Sequence, residues 1–195
     1  MIPLLYVVRH GQTPWNAEQR LQGQADIDID AVGREQADRN GRRLAELIAD
    51  PKAFDFIASP MRRTRETMER ARTVMGLDPM AYRTDPRLVE VNFGDWQGFT
   101  FAELEARLPG ASTARKHDKW DFVPPGEEAE SYEMLACRIR PWLVELTQPT
   151  VCVTHGGVMR AIFRLVEALP KNKAAALEIP QDRVLRVQDG RLDWL

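Results

Sequence analysis

The chain has 195 residues, of which 44% are hydrophobic and 29% charged, and its formal net charge is -2. Those values suit a soluble globular protein of one domain with a sizeable core. They give no reason to expect nucleic acid or an anionic membrane as partner, so any anion site must come from local clustering of arginines.

No apolar run approaches the ~20 residues of a membrane span. Met1-Ile2-Pro3 and the five apolar residues that follow are too short for a secretory leader. Cys137 and Cys152 lack metal-ligand spacing and read as buried, reduced thiols. The expectation is a soluble, cytoplasmic protein.

In chain order, Leu4-Leu5-Tyr6-Val7-Val8 reads as a buried strand that runs straight into Arg9-His10-Gly11. Residues 12–30 are polar and turn-rich. Asp30 is a good N-cap for a helix whose inner face is Ala37, Gly41, Leu44, Ala45 and Ile48, closed by Pro51. Phe54 to Ala58 reads as a second strand. Ser59-Pro60 then supplies an N-cap and a first-turn proline for a helix with Thr64, Met68, Ala71 and Met75 inside and Gly76 at its C-terminal cap.

Met80 to Thr84 is a weak third strand, and 88–98 is a loop. Phe101 to Leu108 is a short helix, whereas 109–130 has no packing periodicity, which marks a functional or mobile loop. Ser131 caps a helix with Leu135, Ile139, Trp142, Leu143 and Leu146 on one face, and Pro141 within it predicts a kink or a break. A strand at 150–154 follows, then a helix with Val158, Ile162, Leu165 and Leu169 on one side. Val184–Val187 and Leu192–Trp194 form a hairpin about Asp189-Gly190. Alternating strands and helices predict an α/β fold: three layers, α/β/α, around a mostly parallel central sheet.

Open α/β sheets hold their ligands at the carboxyl ends of the strands. Three strand ends deliver polar groups there: Arg9 and His10, the Ser59–Arg65 segment, and His155 with Gly156-Gly157. Helix starts offer unpaired N–H groups, and arginine forks suit phosphate oxygens. Taken singly, His10 or His155 is an ordinary structural histidine, Arg62, Arg63 and Arg65 a solvated helix face, Glu90 a loop carboxylate and Asn16 a turn residue. Their shared edge is what points to a phosphate site.

Val8-Arg9-His10-Gly11-Gln12-Thr13-Pro14-Trp15-Asn16 resembles the signature of the histidine phosphatase superfamily, the phosphoglycerate-mutase-like family. Gln22-Gly23, Asp28 and Gly33–Ala37 continue the likeness. Ser59–Thr67 is similar to the second motif, with its arginine on Arg63; Leu88–Gly98 is similar to the acid loop; Val153–Val158 is similar to the last motif. Pro124–Ser131 departs from the family pattern by two extra residues and a missing glycine, which bears on the loop over the site.

The resemblance implies phosphomonoester hydrolysis without a metal or other cofactor. His10 would be the nucleophile and Glu90 the general acid and base, with Arg9, Arg63 and His155 around the phosphoryl oxygens. Asn16, Gln22, Gly23 and Gly156 would contact the substrate phosphate. The expected partner is a small phosphorylated substrate, with specificity carried by a lid segment at about 99–130. The alternatives are a cofactor-dependent phosphoglycerate mutase, or an inactive phospho-ligand binding module. Arg107, Arg115, Lys116, His117 and Lys119 read more readily as a solvated loop than as an acid-binding site. Oligomeric state stays open, with the terminal hairpin and Trp194 as a candidate edge for a homodimer.

Overall fold

The computed structural model describes residues 2–195. β1 (Leu5–Arg9) leads through the short α1 (Pro14–Ala17) to α2 (Ala31–Leu47), β2 (Asp55–Ala58) and α3 (Arg62–Val74). β3 is reduced to Arg83–Thr84, and α4 (Phe101–Arg107) and α5 (Ala111–His117) precede α6 (Tyr132–Glu145). β4 (Thr150–Thr154), α7 (Gly156–Val166), α8 (Lys171–Ala176), β5 (Val184–Gln188) and β6 (Arg191–Trp194) complete the order.

The six strands form one sheet in the order β3-β2-β4-β1-β5-β6. β1 pairs parallel with β4, and β2 pairs parallel with β4 and β3, whereas β5 joins β1, and β6 joins β5, antiparallel. The expected α/β/α sandwich is therefore present, with a mixed sheet whose central pairs are parallel.

The strand period of two decides which side chains feed each layer. Leu5 and Val7 of β1 face a core with Leu135, Ile139, Trp142 and Ile162 of α6 and α7. Tyr6 and Val8 face the opposite core, with Leu44 of α2 and Met68 of α3. Both faces are covered, as a largely parallel sheet requires. No helix among the described residues is long and apolar enough to cross a membrane.

Several local expectations are corrected. α6 runs unbroken through Pro141, so the break that a proline allows does not occur. Burying Ile139, Trp142 and Leu143, at roughly 1.5–3 kcal/mol per large apolar side chain, offsets the ~3 kcal/mol that an interior proline costs. The 109–130 stretch contains α5 rather than only loop, and α8 is a second helix too short to show a period. Ala45 is exposed, and the polar Asn40 is buried on α2 instead, its amide donating to Gln181 O at 2.9 Å. Cys152 is buried, with its thiol pKa pushed up by burial, but Cys137 is exposed.

Ser59 does not cap α3. Met61 occupies the N-cap with no side-chain bond, and the Ser59 hydroxyl lies 2.8 Å from His155 Nε2. A residue that resembles a cap in sequence is thus committed to the other side of the sheet edge.

Candidate active site

β1 and β4 are neighbours in parallel register, Arg9 opposite Thr154, so the residue after each strand end reaches the same place. His10 N donates to Thr154 O at 2.9 Å, which carries the ladder one step further and sets His10 beside His155. The two rings stand 5.2 Å apart between centroids, inclined at 60°.

His10 is 3% exposed, and its Nδ1 lies 2.8 Å from Gly11 O. A carbonyl only accepts, so in the neutral ring Nδ1 carries the proton and Nε2 keeps its lone pair. Burial first, then the charges of Arg63 and Arg9, hold the His10 pKa well below the ordinary histidine range. The imidazole is neutral at pH 7.

The arginines come from a strand end and a helix start. Arg9 Nη1 donates to Ile179 O at 2.7 Å. Arg63, fully buried in the first turn of α3, donates to Ala25 O and Gly23 O at 2.8 and 2.7 Å. Gly23 has φ +52, a left-handed conformation that directs its carbonyl to Arg63 at no steric cost. Burial lowers both guanidinium pKa values to about 10, still well above neutrality. Arg62, next in sequence, points away and pairs with Asp28 at 2.7 Å.

Buried polar atoms without a partner gather in this place: Arg9 Nε, Arg63 Nε, Gln22 Oε1 and His155 Nδ1. Buried polar groups are normally satisfied, so their concentration sets this edge apart from the rest of the core.

Glu90 approaches from the loop after Leu88. One carboxylate oxygen accepts Val91 N at 2.9 Å and the other accepts Gly157 N, at the start of α7, at 3.0 Å. The acid loop is held from behind. Thr154 Oγ1 donates to Leu88 O at 3.0 Å, and Arg138 donates to Arg87 O and Val89 O while pairing with Glu130 at 2.8 Å. The divergent 124–130 segment packs here: Asp95 N donates to Pro125 O at 2.8 Å and Glu130 N to Asn92 O at 2.9 Å. It braces the acid loop, and no residue of 124–130 lines the cavity.

The cavity at this edge is about 220 Å³. Of the residues expected from sequence, Arg9, His10, Asn16, Gln22, Gly23, Arg63, Glu90 and Gly156 line it together. His155 stands behind them, fully buried against His10. Its pKa is held well below the ordinary range, by burial first and then by Arg63. It is therefore a neutral ring, not an imidazolium.

The wall also holds groups the sequence reading did not assign: Arg160, Tyr132, Arg20, Leu21, Phe93 and Phe101, with Arg115 and Lys119. Arg115 and Lys119 are thus part of the pocket and not of a solvated loop, whereas Arg107, Lys116 and His117 are exposed as expected. Arg160 was legible in principle, because it lies four residues after Gly156 and so on the same face of α7. Gln181 was missed as well. Its Nε2 donates to His10 O at 3.0 Å and to Asn16 Oδ1 at 3.1 Å, tying the His10 backbone to the Asn16 amide.

A buried neutral histidine with a free Nε2, two guanidiniums with unspent donors and a carboxylate across the cleft make up a site for displacement at a phosphoryl group. The profile of the histidine phosphatase superfamily (branch 1) matches residues 5–191, and the chain belongs to that superfamily. Among its relatives, the glucosyl-3-phosphoglycerate phosphatase of Mycobacterium tuberculosis is 34% identical over 179 residues, covering 85% of this chain and 76% of that protein. A probable phosphoglycerate mutase of Erwinia tasmaniensis is 30% identical, covering 98% and 87%. The structure of a mycobacterial glucosyl-3-phosphoglycerate phosphatase in complex with VO3 superposes with a TM-score of 0.82 at 30% identity, covering 98% of both chains.

Proposed function

We propose that the chain hydrolyses small phosphomonoesters through a phosphohistidine on His10. The observation that carries this reading is the 2.8 Å contact of His10 Nδ1 with Gly11 O, which leaves Nε2 as the lone pair of a ring kept neutral among cations.

Nε2 attacks phosphorus, an N–P bond forms and the P–O bond to the leaving group breaks. Glu90, as the acid, gives its proton to the departing oxygen, and as the resulting carboxylate takes one from the water that attacks the phosphohistidine. The N–P bond then breaks, releasing inorganic phosphate and restoring neutral His10. Arg9 and Arg63, which line the cavity, hold positive charge beside the equatorial oxygens, where charge spreads in a loose transition state. Asn16, Gln22, Gly23 and Gly156 seat the phosphate. His155, fully buried with Nε2 at Ser59, packs against the His10 ring and holds it in place from behind.

We read the whole chain as one catalytic domain of the cytoplasm, with 99–130 as its specificity segment. Unpaired thiols at Cys137 and Cys152 support a reducing compartment. A mutase reading, in which the bound product takes the phosphoryl group back, is favoured by the resemblance to relatives named as mutases or mutase-like, the Erwinia protein among them.

Trapping of ³²P from a labelled phosphomonoester, quenched in alkaline detergent because the N–P bond survives base and not acid, tests the scheme. Label on the wild-type protein and none on His10→Ala supports it. Full turnover by His10→Ala would remove His10 from the chemistry. Following 3-phosphoglycerate with added 2,3-bisphosphoglycerate by phosphorus NMR separates hydrolysis from isomerisation.

A further inference from the structure

The segment around Gly23 and the acid loop are joined backbone to backbone. Leu21 N donates to Phe99 O at 3.0 Å, and Gly98 N donates to Leu21 O at 2.8 Å. Two half-buried glutamines carry this join toward the reacting groups. Gln97 Oε1 accepts Gln24 N at 2.6 Å, and Gln24 Nε2 donates to the backbone carbonyl of Glu90 at 3.0 Å. Both amide orientations follow from the partners: an N–H only donates, so Gln97 presents its oxygen, and a carbonyl only accepts, so Gln24 presents its nitrogen. Arg138 reaches the same Glu90 carbonyl less closely, at 3.4 Å. Neither glutamine lines the cavity, so any effect they have on the reaction passes through other residues.

The dipeptide Gly23-Gln24 holds two charged groups at once. Gly23 O accepts Arg63 Nη2 at 2.7 Å, while the Gln24 side chain holds the main chain of Glu90. Gln97 fixes the dipeptide in turn. A side chain at position 23 would run into Gln97 Oε1 and come within 3.0 Å of Phe93 N. Glycine there lets the Gln97 amide come close to the backbone and reach the next N–H. One short stretch of chain, pinned by one glutamine, thus sets how far the Arg63 guanidinium stands from Glu90.

We propose that Gln24 and Gln97 are positioning residues, acting in series to set the Glu90 carboxylate against the oxygen that leaves. The proposal rests on the reading of Glu90 as the acid. Loss of the tether shifts Glu90, whereas His10 and Arg9 stay where β1 and β4 hold them. Rates are sensitive to such shifts: a misplacement of ~1 Å by a remote change costs up to about 100-fold.

The test follows kcat/KM, which reports the first displacement, across alkyl and aryl phosphomonoesters of graded leaving-group pKa. An acid in place flattens that dependence, and a displaced acid steepens it. Gln24→Met keeps the length of the side chain and removes the donor. It is expected to cost about tenfold or more on alkyl phosphates, the loss that goes with one hydrogen bond, and much less on the best leaving groups. Gln24→Glu, a second variant of the same shape, sets an acceptor against the Glu90 carbonyl and should steepen the slope at least as far. Gln97→Met should match Gln24→Met, whereas Gln97→Glu keeps an oxygen acceptor and should keep most of the wild-type slope. Because the two act in series, the double Met variant should lose no more than either single one. Equal losses across all substrates, an unchanged slope in both Gln24 variants, or additive losses in the double variant overturn the proposal. Glu90→Gln in the same series tells the two readings apart. A steeper slope there but not in the Gln24 variants strikes only the positioning role. An unchanged slope there removes Glu90 as the acid, and this proposal with it.

Discussion

The carboxylate of Glu90 accepts the backbone N–H of Gly157 at 3.0 Å, joining the acid loop to the first turn of α7. A side chain at position 157 would run into Glu90 Oε1 and come within 3.1 Å of Glu90 Cδ and 3.2 Å of Leu135 Cδ2. Glycine is there because the acid occupies the space of its missing Cβ.

Gly157→Ala is therefore expected to displace the acid while sparing the nucleophile. A positioned acid is worth roughly 10²–10⁴ in rate, so kcat on alkyl phosphates should fall by about 10²-fold or more. With p-nitrophenyl phosphate, whose leaving group needs little protonation, the loss should be far smaller. Glu90→Gln sets the benchmark for the pattern. Equal losses on both substrates would show that Gly157 acts through the fold rather than through Glu90.

Gln181 should behave as a positioning residue. Removing its amide in Gln181→Ala frees Asn16, whose Oδ1 otherwise also accepts Thr13 N at 3.1 Å, and a drop of about tenfold in kcat/KM corresponds to one hydrogen bond of ~1.4 kcal/mol. Gln181→Glu should be worse, because it sets an acceptor against two acceptors, His10 O and Asn16 Oδ1. Steady-state kinetics with inorganic phosphate as inhibitor reports the effect as weaker phosphate binding. Indistinguishable Ala and Glu variants would remove the hydrogen bonds from the explanation.

Two buried neutral histidines make stability depend on pH. The folded-state pKa values of His10 and His155 lie below the unfolded value, so below about pH 6.5 the unfolded chain binds more protons than the folded one. Stability is thus expected to decline as pH falls from 6.5 to 5.5, by up to ~1.4 kcal/mol per pH unit for each histidine. Urea unfolding midpoints across that window measure it, with His10→Asn expected to halve the slope. An unchanged slope in that variant would mean other groups carry the dependence.

Legibility in the sequence followed the sheet. The apolar runs before His10 and His155 announce buried strands, and a strand end has one place to go, so pattern and resemblance together anticipate the cavity that His10, Arg9, Arg63 and Glu90 line. Arg115 was misread because α5 is only seven residues long, too short to show a period, and Lys119 because it lies in the turn after α5, where no period applies. Ser59 was assigned to a cap because Ser-Pro is an equally good local signal for a helix start, and only tertiary pairing with His155 decides otherwise. Gln181 lies 171 residues from His10, a contact that hydrophobic patterning does not encode.

The parallel register of β1 and β4 has a consequence for how such a protein diversifies. The separation of His10 and His155 is a property of the backbone ladder, whose ~4.8 Å spacing no surface loop sets. Insertions or exchanges in α4 and α5 can redraw the far wall without moving the two histidines apart. A graft of another 99–130 segment onto this frame should accordingly change which phosphomonoester is taken and leave the phosphohistidine step at its own pace.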